Sequence, residues 1–393
     1  MRHVKYAGLV MAAVIVIMVL GLAPSCAPAA PEQPIKIGLL FDYSGMGAGD
    51  IPFHEDGARL KLDEVGWQIE GRKIELIPAD DGGDPVKGVE AVKKLVEVDK
   101  VDVIIGPVWG HVALAIAPIL AQSRTPNIIP SGQTMGVIQA GAGNEFLLRG
   151  TFSGNAYYSG VYAYEDRGYR TAVVMYDDFV TGEAFVTGFT KPFEERGGTV
   201  VQTVKPPLGT FDFAPYLTGI KTADVLAMWI QPPELPPFYK QYNEFGLKMP
   251  IIYTSDTAEN ELWTAVGDYC IGTIAQHEYS PFIDTNTNKQ FVELAKKKTG
   301  GMPPVMSFQE AGYTAVTVFL EAVKAAKGDT THDKIIEALK KVSVDTPEGK
   351  ISFTTEGVGI GNELAVRIIK KDGRYEKEIL KTYEQVIRKT PWE

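Results

Sequence analysis

Cysteine is almost absent: the 393 residues hold two, Cys26 and Cys270. Two cysteines build neither a disulfide framework nor a CxxC metal site. Histidine is nearly as scarce, and His3, His54, His111, His277 and His332 are scattered without ligand spacing. Positive charge is in deficit, with 39 Lys+Arg against 49 Asp+Glu and a net charge of -10. That argues against a nucleic-acid partner, whose phosphates need a basic footprint. Low-complexity segments and short repeats are missing, apart from an Ala/Pro stretch at 27–34. Enzyme signatures are missing too: no G-x-S-x-G elbow, no Walker loop, no H-E-x-x-H. GMGAGD (45–50) follows a strand, but it lacks the third glycine of a dinucleotide loop and no helix opens inside it. Nothing here calls for an enzyme or for a cofactor.

Long apolar runs are absent except for one. Arg2 and Lys5 precede an uncharged stretch from Ala7 to Ala23, the layout of a secretory signal peptide over residues 1–25. A membrane anchor is the other reading, since the run is near the lower limit for a span. Ala23, Pro24 and Ser25 lead into Cys26. This resembles a bacterial lipobox, with Cys26 as the lipidated first residue of the mature chain, although Ala23 stands where leucine is usual. Cleavage after Ala27-Pro28-Ala29 and a Cys26–Cys270 bridge are the alternatives. With Cys26 lipidated, Cys270 is a small buried hydrophobe. Loss of residues 1–25 removes Arg2 and Lys5 and no acid, so net charge moves from -10 to -12. Residues 26–34 then form anchor and linker, and the remainder is about two domains long.

That remainder alternates strand and helix. IKIGLLF (35–41), RKIELIPAD (72–80), VDVIIG (101–106) and PNIIPSG (126–132) read as strands. GARLKLDEV (57–65), DPVKGVEAVKKLVEVDK (84–100) and HVALAIAPILAQS (111–123) read as the helices between them. The alternation restarts with strands at 171–178, 198–204, 223–233 and 249–256, and helices at 182–197 and 237–246. Such runs imply βαβ units and two doubly wound, Rossmann-like α/β lobes. Residues 288–300, 307–327 and 331–342 read as helices, 350–357 as a strand, and 363–383 as a hairpin. If these helices cover the first lobe and the last strands join the second, the chain crosses near 150, 280 and 347. The first lobe is then 35–150 plus 281–347, and the second 151–280 plus 348–393.

The ordered series IKIGLLFDYSG, GARLKLDEV, ELIPADDGGDPVKGVEAVKKLV, VDVIIGPVWGHVALAIAPI, IIPSG, VVMYDDFVTGEAF and GNELAVRIIKKDGRY spans the mature chain. It resembles the type I periplasmic solute-binding proteins, in the leucine/isoleucine/valine-binding group that serves ABC importers. The D-x-x-x-D-P turn of Asp80, Asp84 and Pro85 is the most specific piece. The resemblance implies two lobes, three hinge crossovers and a cleft that closes on a small-molecule ligand. It also implies ABC permease subunits as partners, a monomer, an extracytoplasmic location, and a membrane tether through the lipid on Cys26.

It implies a pocket as well. A free amino acid offers a carboxylate, which wants N–H groups at a helix N-terminus, and an ammonium, which wants an acid. In the family the carboxylate donors sit on the turns after VDVIIG and IIPS. Here those turns hold Trp109, Gly110, His111 and Val112, then Ser131, Gly132 and Gln133. Backbone N–H groups at 110–112 can bind an anion without side chains; Trp109 is otherwise a hinge-packing aromatic. The ammonium partner falls on Asp256, which with Glu259 also fits a helix capping box. Tyr176, Phe179, Thr181, Trp229 and Gln231 mark the second-lobe edges, with Tyr176 and Trp229 equally suited to the core. Tyr43 and Met46–Asp50 follow the first strand. An amino acid, branched-chain or related, is the expected solute. An aromatic carboxylate, an amide or urea-like solute, or a sensor role are the alternatives.

Overall fold

The computed structural model describes residues 33–45, 47–49, 52–254, 260–298 and 307–393. A six-stranded sheet holds β1 (Ile35–Phe41), β2 (Gln68–Ile69), β3 (Arg72–Asp80), β4 (Val103–Ile105), β5 (Asn127–Ile129) and β6 (Glu145–Leu147). Its order is β2-β3-β1-β4-β5-β6, parallel except at the short β2–β3 edge. Helices α1 (Phe53–Glu64), α2 (Pro85–Lys93), α3 (Gly110–Ser123) and α4 (Met135–Ala140) connect the strands. Strand β1 shows why this half is doubly wound. Its odd-numbered Ile35, Ile37, Leu39 and Phe41 enter one core, while Leu40 enters another with Val92, Leu95, Val112 and Ile116 of the α2 and α3 side. Strand alternation puts apolar side chains on both faces, so both faces need helical cover. Asp84 starts α2 cleanly: its carboxylate accepts the Val86 and Lys87 N–H groups at 2.8 and 3.0 Å, and Pro85 follows.

The chain then enters α5 (Phe152–Glu165), β7 (Thr171–Tyr176), α6 (Val180–Glu195), β8 (Thr199–Val204), α7 (Ala214–Leu217) and β9 (Val225–Trp229). Next come α8 (Leu235–Glu244), β10 (Ile251–Thr254), α9 (Asn260–Val266) and β11 (Ile274–His277). Helices α10 (Asn286–Lys298), α11 (Ser307–Ala325) and α12 (His332–Leu339) follow, then β12 (Ser343–Thr346), β13 (Gly349–Phe353), β14 (Gly359–Lys371) and β15 (Arg374–Ile387). The second sheet runs β12-β13-β14-β11-β10-β9-β7-β8, with β15 beside β14. Strands β7 to β11 pair in parallel and the C-terminal strands antiparallel.

Helices α11 and α12 pack on the first sheet. Ala315, Val316, Phe319 and Val323 of α11 and Ile335, Ile336 and Leu339 of α12 fill the same core as β1. Helix α11 crosses α1 at two glycines. A Cβ on Gly57 would lie 1.7 Å from the Gln309 carbonyl oxygen, and one on Gly312 would lie 1.9 Å from that of His54. The segment near 347 is shared. Strands β12 and β13 pair within the second sheet, yet Ile351 and Phe353 are buried in the first core. The Gly357 carbonyl also accepts the Leu147 N–H at 2.8 Å.

Buried charge ties distant segments together. Arg149 donates to the Glu310 carboxylate at 3.0 Å and to Ser307 Oγ at 2.9 Å, and lies 3.9 Å from Glu278. Arg388 donates to the Leu148 carbonyl (2.9 Å), the Asn362 carbonyl (2.8 Å) and Glu348 (3.2 Å), with Glu363 3.4 Å away. Burial, reinforced by the charge of Glu348, pushes the Glu310 carboxyl up to about 8 against the pull of Arg149. Cys270 is a free, buried thiol pushed up to about 12 by the same cause.

Candidate functional site

Ligands of open α/β sheets bind outside the carboxyl ends of the strands, and most of the residues singled out in the sequence lie there. At the first sheet the organiser is Asp42, fully buried immediately after β1. One of its carboxylate oxygens accepts the Gly45 N–H; the other accepts the Gly47 N–H at 2.9 Å and the Trp109 indole N–H at 3.0 Å. Asp80 braces the same loop, accepting from the Tyr43 N–H (2.9 Å) and Ser44 Oγ (2.6 Å). Desolvation would raise its pKa, but bonds from Ser44, Tyr43 and Gly82 hold the carboxyl below the usual range. Asp81 is buried and accepts the Gly83 N–H at 2.8 Å; burial pushes it up to about 6. The Asp80–Asp84 turn therefore braces a loop with one acid and caps α2 with the other.

Trp109 is half-buried at the N-cap of α3. The N–H groups of Gly110, His111 and Val112 form the first turn and have no intrahelical acceptor. His111 is exposed, with Nε2 2.9 Å from the Gly83 carbonyl oxygen. The Val112 side chain is in the core, so only its backbone N–H is offered at this helix end. Tyr43 is half-buried and its hydroxyl donates to Glu55 at 2.6 Å. Burial and that bond raise its pKa above the usual phenol value. Ser131 and Gln133 are buried, and their side chains donate to the Val108 carbonyl at 3.0 and 2.8 Å. They bind the turn after β5 to the turn after β4, rather than pointing donors outward. Gly132 packs on Phe152 at the start of α5.

A second group lies at the carboxyl ends of β7 and β9. Tyr176 is buried at the end of β7, and its hydroxyl is 3.4 Å from Glu183. Phe179 caps α6, Thr181 sits in its first turn, and both are half-buried. Trp229 is in the core at the end of β9. Gln231 is half-buried and its N–H donates to Asp177 Oδ2 at 2.8 Å. Among the described residues no hydrogen bond runs from this group to the one around Trp109. Asp256, Glu259, Met46, Asp50 and Cys26 lie outside the described residues.

Sequence reasoning passed over Asp42 and Asp177, which hold Trp109 and Gln231, and Glu234, which accepts the Gly209 N–H at 2.6 Å. Two of them carried a signal: in LLFDY and VMYDD the acid stands one residue past an apolar strand. Among the described residues, no group of three or more His, Cys, Asp or Glu is arranged to hold a metal, and no helix is long and apolar enough to cross a membrane.

A family model described as periplasmic binding protein matches residues 34–374. A Leu/Ile/Val-binding protein homolog of Brucella abortus is 25% identical over 370 residues, covering 91% of this chain and 94% of the relative. An ABC transporter substrate-binding protein from Sphaerobacter thermophilus superposes with a TM-score of 0.86 at 28% identity, over 91% of this chain and all of that one (100%). A solute-binding protein from Rhodopseudomonas palustris, solved with 3,4-dihydroxybenzoic acid, gives 0.81 at 26% identity, over 90% and 98%.

Proposed function

Because the chain belongs to the periplasmic binding protein family, we propose that it captures a small carboxylate-bearing solute between its two sheets and delivers it to an ABC permease. The supporting observation is the first turn of α3, whose N–H groups lie beside an indole that Asp42 holds in place. A helix N-terminus receives a carboxylate, and a flat apolar wall receives the body attached to it. The Leu/Ile/Val relative favours a branched-chain amino acid, with Asp256 as ammonium partner. A second reading, an aromatic carboxylate, rests on Trp109 and on the dihydroxybenzoate in the Rhodopseudomonas neighbour. In either case the solute bridges the lobes and selects the closed arrangement, which the permease reads.

A thermal-shift panel of amino acids, benzoates and amides tests this. A solute at 100 times its Kd adds about 2.7 kcal/mol of stability. Branched-chain amino acids that act in wild type but not in Asp256→Ala place the ammonium. Benzoates that act in wild type but not in Trp109→Ala select the second reading. Silence across all three classes counts against a carboxylate solute. The tether is tested separately: with Cys26 lipidated, Cys26→Ser moves the protein from the membrane fraction to the soluble fraction. An unchanged distribution rejects the anchor.

A further inference from the structure

We propose that Asp177 and Glu234 hold one proton between them and thereby position the second-lobe rim of the solute cleft. The inference rests on the function proposed above for the meaning of that rim, but not for the proton. Asp177 follows β7 and Glu234 precedes α8; they are 0% and 2% exposed. Each spends one oxygen on a backbone donor: Asp177 Oδ2 accepts the Gln231 N–H at 2.8 Å, and Glu234 Oε1 accepts the Gly209 N–H at 2.6 Å. The other two oxygens, Asp177 Oδ1 and Glu234 Oε2, are buried and accept nothing from the described residues. Gln231 links the two residues, its N–H on Asp177 and its carbonyl accepting the Glu234 N–H at 2.9 Å, and the two carboxyls adjoin. Two adjacent buried carboxylates cannot both be charged cheaply, and a single shared proton satisfies both orphaned oxygens with one O–H···O⁻ bond.

The surrounding charges do not replace that proton. The segments that carry and adjoin the pair bear Asp178, Glu183 on α6, Lys205 after β8, Asp212, and Lys240 and Glu244 on α8. Lys205 is taken by Asp178 (3.0 Å) and Glu183, and Lys240 lies 3.9 Å from Glu244. Among the described residues, no cation pairs with Asp177 or Glu234. The bond joins three segments. The Asp177 N–H reaches the Trp229 carbonyl (3.2 Å), and the Asp178 N–H reaches that of Pro206 (2.9 Å). Glu234, through Gly209, ties in the loop after β8. Phe179 and Gln231, two candidate solute contacts, stand on the segments so joined.

Burial, with the Asp177 bond and charge, pushes the Glu234 carboxyl up to about 8. The folded value lies above the unfolded one of about 4.3. The folded chain therefore binds the proton more tightly, and stability falls as pH rises from about 4.3 to about 8. Above about 8 the pair is doubly charged and the brace opens.

Hydrogen-exchange mass spectrometry of the full chain at pH 6 and pH 9, corrected for intrinsic rates, reads this locally. In wild type, protection of peptides covering 205–213 and 229–235 is expected to fall about a hundredfold from pH 6 to pH 9, because about two pH units of that interval lie below the titration near 8. Glu234→Gln, whose amide supplies the missing donor permanently, keeps its protection at both pH values. Glu234→Ala is loose at both. Equal pH responses in wild type and Glu234→Gln overturn the shared proton. Leucine and 3,4-dihydroxybenzoate are then titrated into both proteins at each pH. A solute whose affinity falls at pH 9 in wild type but not in Glu234→Gln supports positioning, and a parallel fall in both overturns it. If neither solute binds anywhere while the exchange difference persists, the solute class is wrong and the proton pair stands.

Discussion

Arg388→Met is expected to lower stability by about 3–5 kcal/mol, read as a shift in the urea midpoint at constant slope. The guanidinium is fully buried and serves four groups at once: two carbonyl oxygens, Glu348 and Glu363. Removing it leaves two fully buried acids facing each other without a cation. Burial already raises the Glu363 carboxyl well above the ordinary range, with Glu278 adding to the effect and Arg388 opposing it. The cost of the variant is therefore uncompensated charge more than lost attraction. Arg388→Lys is expected to recover only part of the loss, because an ammonium cannot reproduce the planar fork that reaches both Glu348 and the carbonyls. A loss below about 1 kcal/mol would show that water enters this site and screens it.

Gly57→Ala is expected to destabilise by at least about 3 kcal/mol, at or beyond the upper end for overpacking. In an open helix the same change would stabilise by about 0.5–1 kcal/mol. The sign reverses because the new methyl would fall 1.7 Å from the Gln309 carbonyl oxygen and 2.8 Å from the Tyr313 nitrogen. Both are backbone atoms of α11 and cannot rotate away. Helix α11 must lift, and its Ala315, Val316 and Phe319 lift with it from the face of β1. Gly312→Ala at the reciprocal contact is expected to act alike. The double variant should cost less than the sum, since one displacement relieves both clashes. Additive losses would mean that the two contacts yield independently.

Much of the architecture was legible because its signals are local. IKIGLLF, ADVLAMW and the amphipathic 84–100 run carry their periodicity in a few residues, and they form β1, β9 and α2 with its π-helical extension through Asp99. What escaped is short or irregular in pattern. Strand β6 is three residues, EFL. Helix α5 (FSGNAYYSGVYAYE) has two glycines and no polar stripe, because it is buried nearly all round between α6 and the second sheet. The site divides in the same way. Trp109 and Gln231 were visible as residues at strand ends, but their orientation depends on Asp42 and Asp177, which are long-range partners separated by 67 and 54 positions. Nor does periodicity show that Ser131 and Gln133 turn inward, since that depends on where the Val108 carbonyl lies.

The core beneath β1 has a consequence for the order in which the molecule can assemble. Its walls come from residues 35–148 and from 315–353, so about 270 residues separate β1 from helix α11, which covers it. Closing so long a loop costs entropy before any contact repays it. The first sheet is contiguous in sequence from β1 to β6, yet it cannot bury its own face. A nascent chain that has reached only α5 therefore holds half-covered strands, and the amino-terminal half must wait for the carboxyl-terminal third before it becomes native.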